Sequence, residues 1–417
     1  LLHDGEGDFE GVLNTRVVER APGRVVLAMK NEAHDPDNQS PELEGFRITR
    51  SKRGNHVRNI RIVAIADEMV DLDRDPFLPE FIDFCRPFHA LRFMDWMRTN
   101  GSLERDWASR KQYTFYTMAG LSGDADGLLG KPVSPSQYLL SGGVAIEICI
   151  DLCNLLGIDA WFCVPHRATD HYIERFASLV RDRLDPRLKV YCEYSNEVWN
   201  QHFIQSRWAL ASPVAAAPLE AAGLNPWSDR EKLQGTSAPE RMGALFRRCH
   251  AIWEAVFTGP DRRRLVRVCA VQHAALTATR RTLKYCLDHG GTDALATGGY
   301  FGAEAAEYAH WKARGAALTA DEVITDLATS LRRDTMRWTR NLAALARSGG
   351  VDYLVYEGGQ HVQPEGAKEA TYMPALAAAQ KHPGMYELYL ENFRLHGEIG
   401  CKLFCAYSSI GRQGMRF

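Results

Sequence analysis

The polar and apolar positions follow two different rhythms along the chain. Residues 1 to about 67 carry short β-branched runs: Val17–Arg20, Arg24–Met29, Phe46–Thr49 and Ile60–Val63. Pro-Gly and Asp-Pro-Asp turns separate them, which is strand grammar. This segment reads as a small β-sandwich-like unit with a polar, loop-like stretch at Asn31–Glu44. Beyond residue 77 the pattern becomes strand, loop and helix in repeat. Apolar strand candidates are Ala90–Met97, Ala160–Pro165, Val190–Glu197, Val266–Gln272, Ala294–Phe301, Tyr353–Gly358 and Leu403–Ser409.

Helical stripes lie between these strands. Met242, Leu245, Phe246, Cys249, Ile252, Trp253 and Val256 fall on one face behind Pro239, and Trp253 reads as core. Ile173, Phe176, Leu179 and Val180 form a second stripe, with Asp170 as its expected N-cap. Ile148, Leu152 and Leu155 form a third, closed by Gly157. Strands alternating with helices predict parallel pairing with helices outside. The expected fold class is therefore α/β, a (β/α)8 barrel over residues 68–417, preceded by the β-rich segment 1–67. Only seven barrel strands are visible. Either Asn59–Asp67 supplies the first, or the first lies upstream of Leu1 and the β-rich segment is inserted after it. The second is favoured because Ile60–Val63 alternates like the strands just before it. Both counts make Val190–Glu197 strand four and Tyr353–Gly358 strand seven.

Two connections, Arg98–Ser141 and the Ala/Pro-rich Ala211–Ser237, are long for a compact domain. Each follows the C-terminal end of a strand, the face on which barrels build their sites.

Composition narrows the partners. The 417 residues are 45% apolar, enough for a large core, and 50 basic against 52 acidic residues give a net charge of -2. That balance argues against nucleic acid or an anionic membrane as partner. No run approaches the roughly 18 apolar residues of a membrane span. The ten cysteines sit in apolar patterns with no CxxC, against a disulfide framework or a zinc knuckle. They fit a reducing compartment, yet buried thiols are equally compatible with secretion or a periplasm, so the compartment stays open. The opening Leu1-Leu2-His3-Asp4 lacks a Met, which reads as a fragment or a processed form.

The chemistry sits at two strand ends. Glu197 closes strand four in SNEVWN, and Glu357 closes strand seven in YEGGQ. At a strand's C-terminal end a carboxylate can face a cleft and avoid the cost of an apolar interior. Strands four and seven lie across a barrel mouth, so both acids can address one bound group. Paired carboxylates are what glycosidic cleavage needs, at about 5 to 5.5 Å apart for retention of configuration and about 6.5 to 9.5 Å for inversion.

SNEVWN and YEGGQ at these strands resemble the clan A retaining glycoside hydrolases, over roughly residues 77 to 410. The resemblance implies a (β/α)8 barrel acting on a β-linked oligo- or polysaccharide, with no cofactor and no metal. It implies Glu197 as general acid/base, Glu357 as nucleophile and Asn196 as the amide that binds the sugar 2-hydroxyl. Arg92 resembles the arginine that keeps the nucleophile ionised, since an adjacent guanidinium lowers a carboxylate pKa. Tyr300 resembles the tyrosine that bonds the nucleophile. Where the clan offers a tryptophan after strand eight, this chain has Ala406-Tyr407-Ser408-Ser409, and Tyr407 is the substitute platform.

Other residues carry competing readings. Glu193, mid-strand, is expected to pair with a buried cation such as Arg92. His166, His273 and His361 follow strands three, five and seven and read as cleft-lining groups, as hydrogen-bonding partners of sugar hydroxyls, or as a metal cluster. No HExxH favours the last. Trp96, Trp107, Trp199, Trp208 and Trp227 suit either sugar stacking or loop packing. The Gly-Gly pairs at 298–299 and 358–359 lack the Lys-Ser/Thr of a phosphate loop. The competing function is a carbohydrate-binding or scaffold protein that keeps the acids only to grip sugar.

Overall fold

The computed structural model describes residues 1–13, 15–29, 44–71, 76–113, 143–211, 239–365 and 370–408. The expected loops within 31–43, 114–141 and 212–237, Trp227 and everything from Ser409 onward lie outside the described residues. The chain divides into two compact units, Leu1–Phe81 and Ile82–Phe417.

The first unit is antiparallel. Strands β1 (Leu2–Asp4), β3 (Thr15–Ala21), β4 (Arg24–Met29) and β6 (Arg58–Arg61) form a sheet in the order β3-β4-β1-β6. Strands β2 (Gly7–Leu13) and β5 (Glu44–Ser51) form a separate ribbon. Leu1, Phe9 and Val25 are the buried core of this unit, with Val17, Leu27, Phe46, Val57 and Ile60 packed around them. Along the ribbon, Lys52 bonds Glu6 at 2.8 Å, Arg50 bonds Asp8 at 2.5 Å and Arg47 bonds Glu10 at 3.0 Å. Such a charged face discourages edge-to-edge pairing with other chains. Strand β6 pairs with β1 through Leu2↔Arg61 and Asp4↔Arg58. The Ile60 segment therefore belongs to this sheet and is not a barrel strand.

The second unit is a nearly closed parallel barrel. Its strands are β7 (Ala90–Arg92), β8 (Asp159–Val164), β9 (Val190–Tyr194), β10 (Leu265–Ala270), β11 (Ala294–Gly298), β13 (Asp352–Gly358) and β15 (Cys401–Ala406). They pair in chain order, β7-β8-β9-β10-β11-β13-β15, every ladder parallel. Strand β15 comes back alongside β7. Among the described residues the barrel has seven strands, not the eight expected. A two-stranded extension, β12 (Phe301–Gly302) with β14 (Gln360–His361), continues β11 and β13 beyond the barrel rim.

Alternation explains the two faces. Trp161 and Cys163 of β8, Val266 and Val268 of β10, Ala294 and Ala296 of β11, and Leu354 and Tyr356 of β13 fill the interior. The intervening residues meet helices. Phe162 lies edge-on to Phe176 of α2 (Asp170–Arg183), which meets Trp253 of α3 (Pro239–Val256) at 5.6 Å. Helix α1 (Ile146–Leu156) ends at Gly157, whose φ of 68° is the left-handed C-cap that glycine tolerates. The N-cap of α2 is Thr169, not Asp170: Thr169 is extended and its side chain accepts from Tyr172 N at 3.2 Å. Asp170 is already helical and instead bonds Arg248 at 2.7 Å.

The glycine pairs serve close approach. A Cβ on Gly299 would stand 2.7 Å from Phe404 and Val355, and one on Gly358 would stand 2.7 Å from the Gly299 backbone. Bare backbones let Gly299 N donate to Glu357 O at 2.8 Å, where the β11–β13 register shifts. Gly358→Ala should therefore destabilise the protein by about 1–3 kcal/mol in urea unfolding, the usual range for overpacking. Gly397→Ala, at a helical position with open space around it, should be neutral or stabilising.

Candidate active site

Strand β9 sends Glu193 into the barrel and then breaks. Ser195 and Glu197 both take positive φ, 58° and 42°, on either side of buried Asn196. Non-glycine residues rarely adopt this conformation, and strain of this kind concentrates where side chains are aimed for a task. Here it turns Asn196 and Glu197 over the barrel mouth together. On β13 the register shift lets two consecutive residues serve the same region: Tyr356 reaches Glu197 and Glu357 reaches Arg92.

The resulting network centres on Arg92. Its Nε and Nη2 donate to Glu193 Oε2 and Oε1, each at 2.9 Å. Nη2 also donates to Asn196 Oδ1 at 2.8 Å, and Nη1 donates to Glu357 Oε2 at 3.1 Å. Arg92, Glu193 and Glu357 side chains are only 6%, 1% and 10% exposed. Tyr300 donates to Glu357 Oε1 at 3.1 Å. Glu197 accepts from Tyr356 at 3.0 Å on Oε1 and from Asn200 Nδ2 at 2.9 Å on Oε2. Asn196 is held in turn: its Nδ2 donates to Asn100 Oδ1 at 3.0 Å, and Gln205 Nε2 donates to Asn100 Oδ1 and to Asn196 O.

Two carboxylates thus share one guanidinium, and a third, Glu197, lies within reach of its field. Burial pushes Glu357 up to about 7, reinforced by the charges of Glu197 and Glu193 and opposed by Arg92 and Tyr300. Burial also raises Glu197, against the hydrogen bonds of Asn200 and Tyr356. Arg92 and Tyr300 favour the Glu357 anion, against the burial that favours its neutral form. Arg92 gives its two-point grip to Glu193, so Glu357 faces a largely neutralised pair. Two buried acids that repel each other titrate as a unit and retain one proton near neutrality. Above that midpoint the Glu357 anion has Arg92 Nη1 and Tyr300 as donors, whereas Glu197 is held by the neutral Tyr356 and Asn200.

The remaining sequence candidates are placed unevenly. Tyr407 lies 6.4 Å from Tyr300, ring to ring, and its hydroxyl meets Asp95. His361 lies 5.8 Å from Tyr300, ring to ring. His166 is buried edge-on to Trp208, its Nδ1 without a partner, and burial pulls it down to about 3. His273 turns to Thr339 of α4 (Met336–Ser348) at 2.9 Å and is pulled down to about 4. The histidines thus go to three separate places. Trp199 buries its indole N–H without a partner. Trp107 stacks under Arg110 at 4.1 Å and packs on Tyr172, so it braces a loop.

Sequence reasoning missed Tyr356, Asn200, Asn100, Gln205 and Asp95. Tyr356 and Asn200 could have been found as the polar neighbours of the two glutamates. Asn100, Gln205 and Asp95 carry no local signal, because they reach the site only through tertiary contact.

No family model matches the chain, and no curated protein matches it.

A carboxyl 13C NMR titration should place the Glu357 midpoint near 7. Tyr300→Phe removes a donor to the anion and should raise it. Glu197→Gln removes a repelling charge and should lower it. Stability should follow with a defined sign. The folded protein holds the Glu357 proton in a pH range where the unfolded chain has released it, so stability falls as pH rises from about 4.5 to about 7. Urea melts should show this slope in wild type and a shallower one in Glu357→Gln.

Proposed function

We propose that this protein is a retaining glycoside hydrolase of the clan A type, acting on a β-linked oligo- or polysaccharide. The eight-stranded (β/α)8 architecture and the numbering of β9 and β13 as strands four and seven belong to the same proposal. One observation carries it. Glu197 and Glu357, far apart in sequence, lie in one buried network whose members resemble the clan's arginine, asparagine and tyrosine.

In this reading Glu357 attacks the anomeric carbon while Glu197 gives its proton to the leaving oxygen. Glu197 then takes a proton from water, the water oxygen attacks the anomeric carbon, and Glu357 leaves as a carboxylate. Tyr300 and Arg92 direct the lone pairs of Glu357. Tyr356 can accept from Glu197 when it is protonated and donate to it when it is ionised. Asn196 has one N–H beyond its bond to Asn100, and that N–H is the group for a sugar hydroxyl. Tyr407 and His361, each in ring contact with Tyr300, supply aromatic surface for the C–H face of the ring.

The test is hydrolysis of a panel of β-glycans, with the anomeric configuration of the first product read by NMR. Glu197→Gln should lose about 10²–10⁴-fold on glycans, the usual contribution of an acid/base group, and much less on aryl glycosides with good leaving groups. Glu357→Gln should lose turnover on both. Glycan binding by wild type and both variants, with turnover by none, would establish the sugar-binding protein instead.

A further inference from the structure

The carboxylate that grips Arg92 most fully is not one of the two acids assigned to chemistry. Glu193 lies mid-strand on β9, and both its oxygens face the guanidinium, at 2.9 Å each. Its Oε2 also accepts from Trp161 Nε1 at 2.8 Å and from the Cys163 thiol at 3.3 Å. Among the described residues its side chain accepts from donors on β7 and β8. The guanidinium itself lies over Tyr356 at 5.1 Å and over Trp161 at 5.9 Å. Holding a buried charge this deep is expensive, and replacing such an ion pair with apolar groups is often neutral or stabilising. Stability alone is a weak reason for Glu193.

We propose that Glu193 is a positioning residue that works through Arg92, fixing the guanidinium by a two-point grip and neutralising it, so that Glu357 receives a directed hydrogen bond without the field of a free cation. This rests on the reading of Glu357 as nucleophile. During attack a Glu357 oxygen bonds the anomeric carbon, the glycosidic C–O bond breaks, and the leaving oxygen takes the Glu197 proton. Glu357 passes from carboxylate to neutral ester. A free guanidinium at 3.1 Å would stabilise the starting anion and lose that interaction on the way to the ester, which raises the barrier. A guanidinium already paired with Glu193 orients Glu357 and binds both states more evenly. The planar fork suits this division, because one edge engages Glu193 while Nη1 remains for Glu357.

Glu357 is faced by Arg92 from β7, Glu193 and Glu197 from β9 and its end, Tyr300 beyond β11 and Tyr407 beyond β15. Removing the Glu193 charge therefore has a signed consequence. The test is 13C NMR titration of the Glu357 carboxyl in wild type and Glu193→Gln, with the 15N signal of Arg92 Nε followed in parallel. Glu193→Gln should lower the Glu357 midpoint by about one pH unit or more, a tenfold change in proton affinity. The Arg92 Nε–H should exchange slowly in wild type and quickly in the variant. A folded Glu193→Gln protein with the Glu357 midpoint unchanged or raised overturns the proposal.

If Glu193→Gln does not fold, Glu193→Asp decides. It keeps the charge but is one methylene shorter, so the grip is lost. It should speed Arg92 Nε–H exchange and lower kcat about tenfold or more with little change in KM, the signature of an interaction that matters in the transition state. Unchanged exchange and kcat overturn the proposal. Absence of turnover in wild type would defeat the hydrolase reading, whereas the titration and exchange results report on Glu193 independently of turnover.

Discussion

A single buried guanidinium organises the barrel mouth. Arg92 enters from β7, the first strand of the parallel order, and bonds residues from β9 and β13 on two other sides of the barrel. A charge removed from water must be matched by partners of good geometry, or it costs several kcal/mol. Once Arg92 is inside, the positions of Glu193, Asn196 and Glu357 are no longer independent. Each must present an oxygen to a planar fork whose directions are set. The fork thereby turns three strand ends into one constellation.

The backbone around this fork is shaped to meet it. Strand β9 stops at Tyr194, and two left-handed residues swing Asn196 and Glu197 inward. Strand β13 reaches the same place by different means. Its register slips against β11 where Gly299 and Gly358 let the backbones touch, so Tyr356 and Glu357 both serve the mouth although they are neighbours in sequence. Strain on one side and bare backbone on the other are two solutions to one problem. A regular strand sends only alternate residues to a given face.

The electrostatics follow from counting charges. Three buried carboxylates around one guanidinium leave an excess of negative charge, and burial makes the ionisation of Glu357 and of Glu197 harder. Glu193 takes the two-point grip of Arg92, so Glu357 is relieved by the remaining Nη1 and by Tyr300, and Glu197 by the neutral donors Tyr356 and Asn200. The outcome is a pair of acids that keeps one proton near neutrality, with the cation beside only one of them. That asymmetry distinguishes two residues of identical chemistry.

The strand order of the parallel unit was legible in the chain because apolar runs and helical stripes impose it. Runs such as Ala160–Pro165 and the stripe from Met242 to Val256 can bury their surface only in a layered α/β arrangement. The two glutamates were legible for a similar reason, since a carboxylate directly after a buried strand asks for an explanation. Other features left no mark in sequence. Thr169 and Asp170 are both good caps, and only the backbone angles separate them. His166 and His273 follow strands just as Tyr300 does, yet they turn to Trp208 and Thr339. Arg92 could be recognised as a partner for a carboxylate, but how its five N–H groups divide among Glu193, Glu357 and Asn196 could not. Periodicity and strand-end chemistry are local properties, written in neighbouring residues. The division of one cation among three acceptors depends on distances between strands that no local pattern encodes.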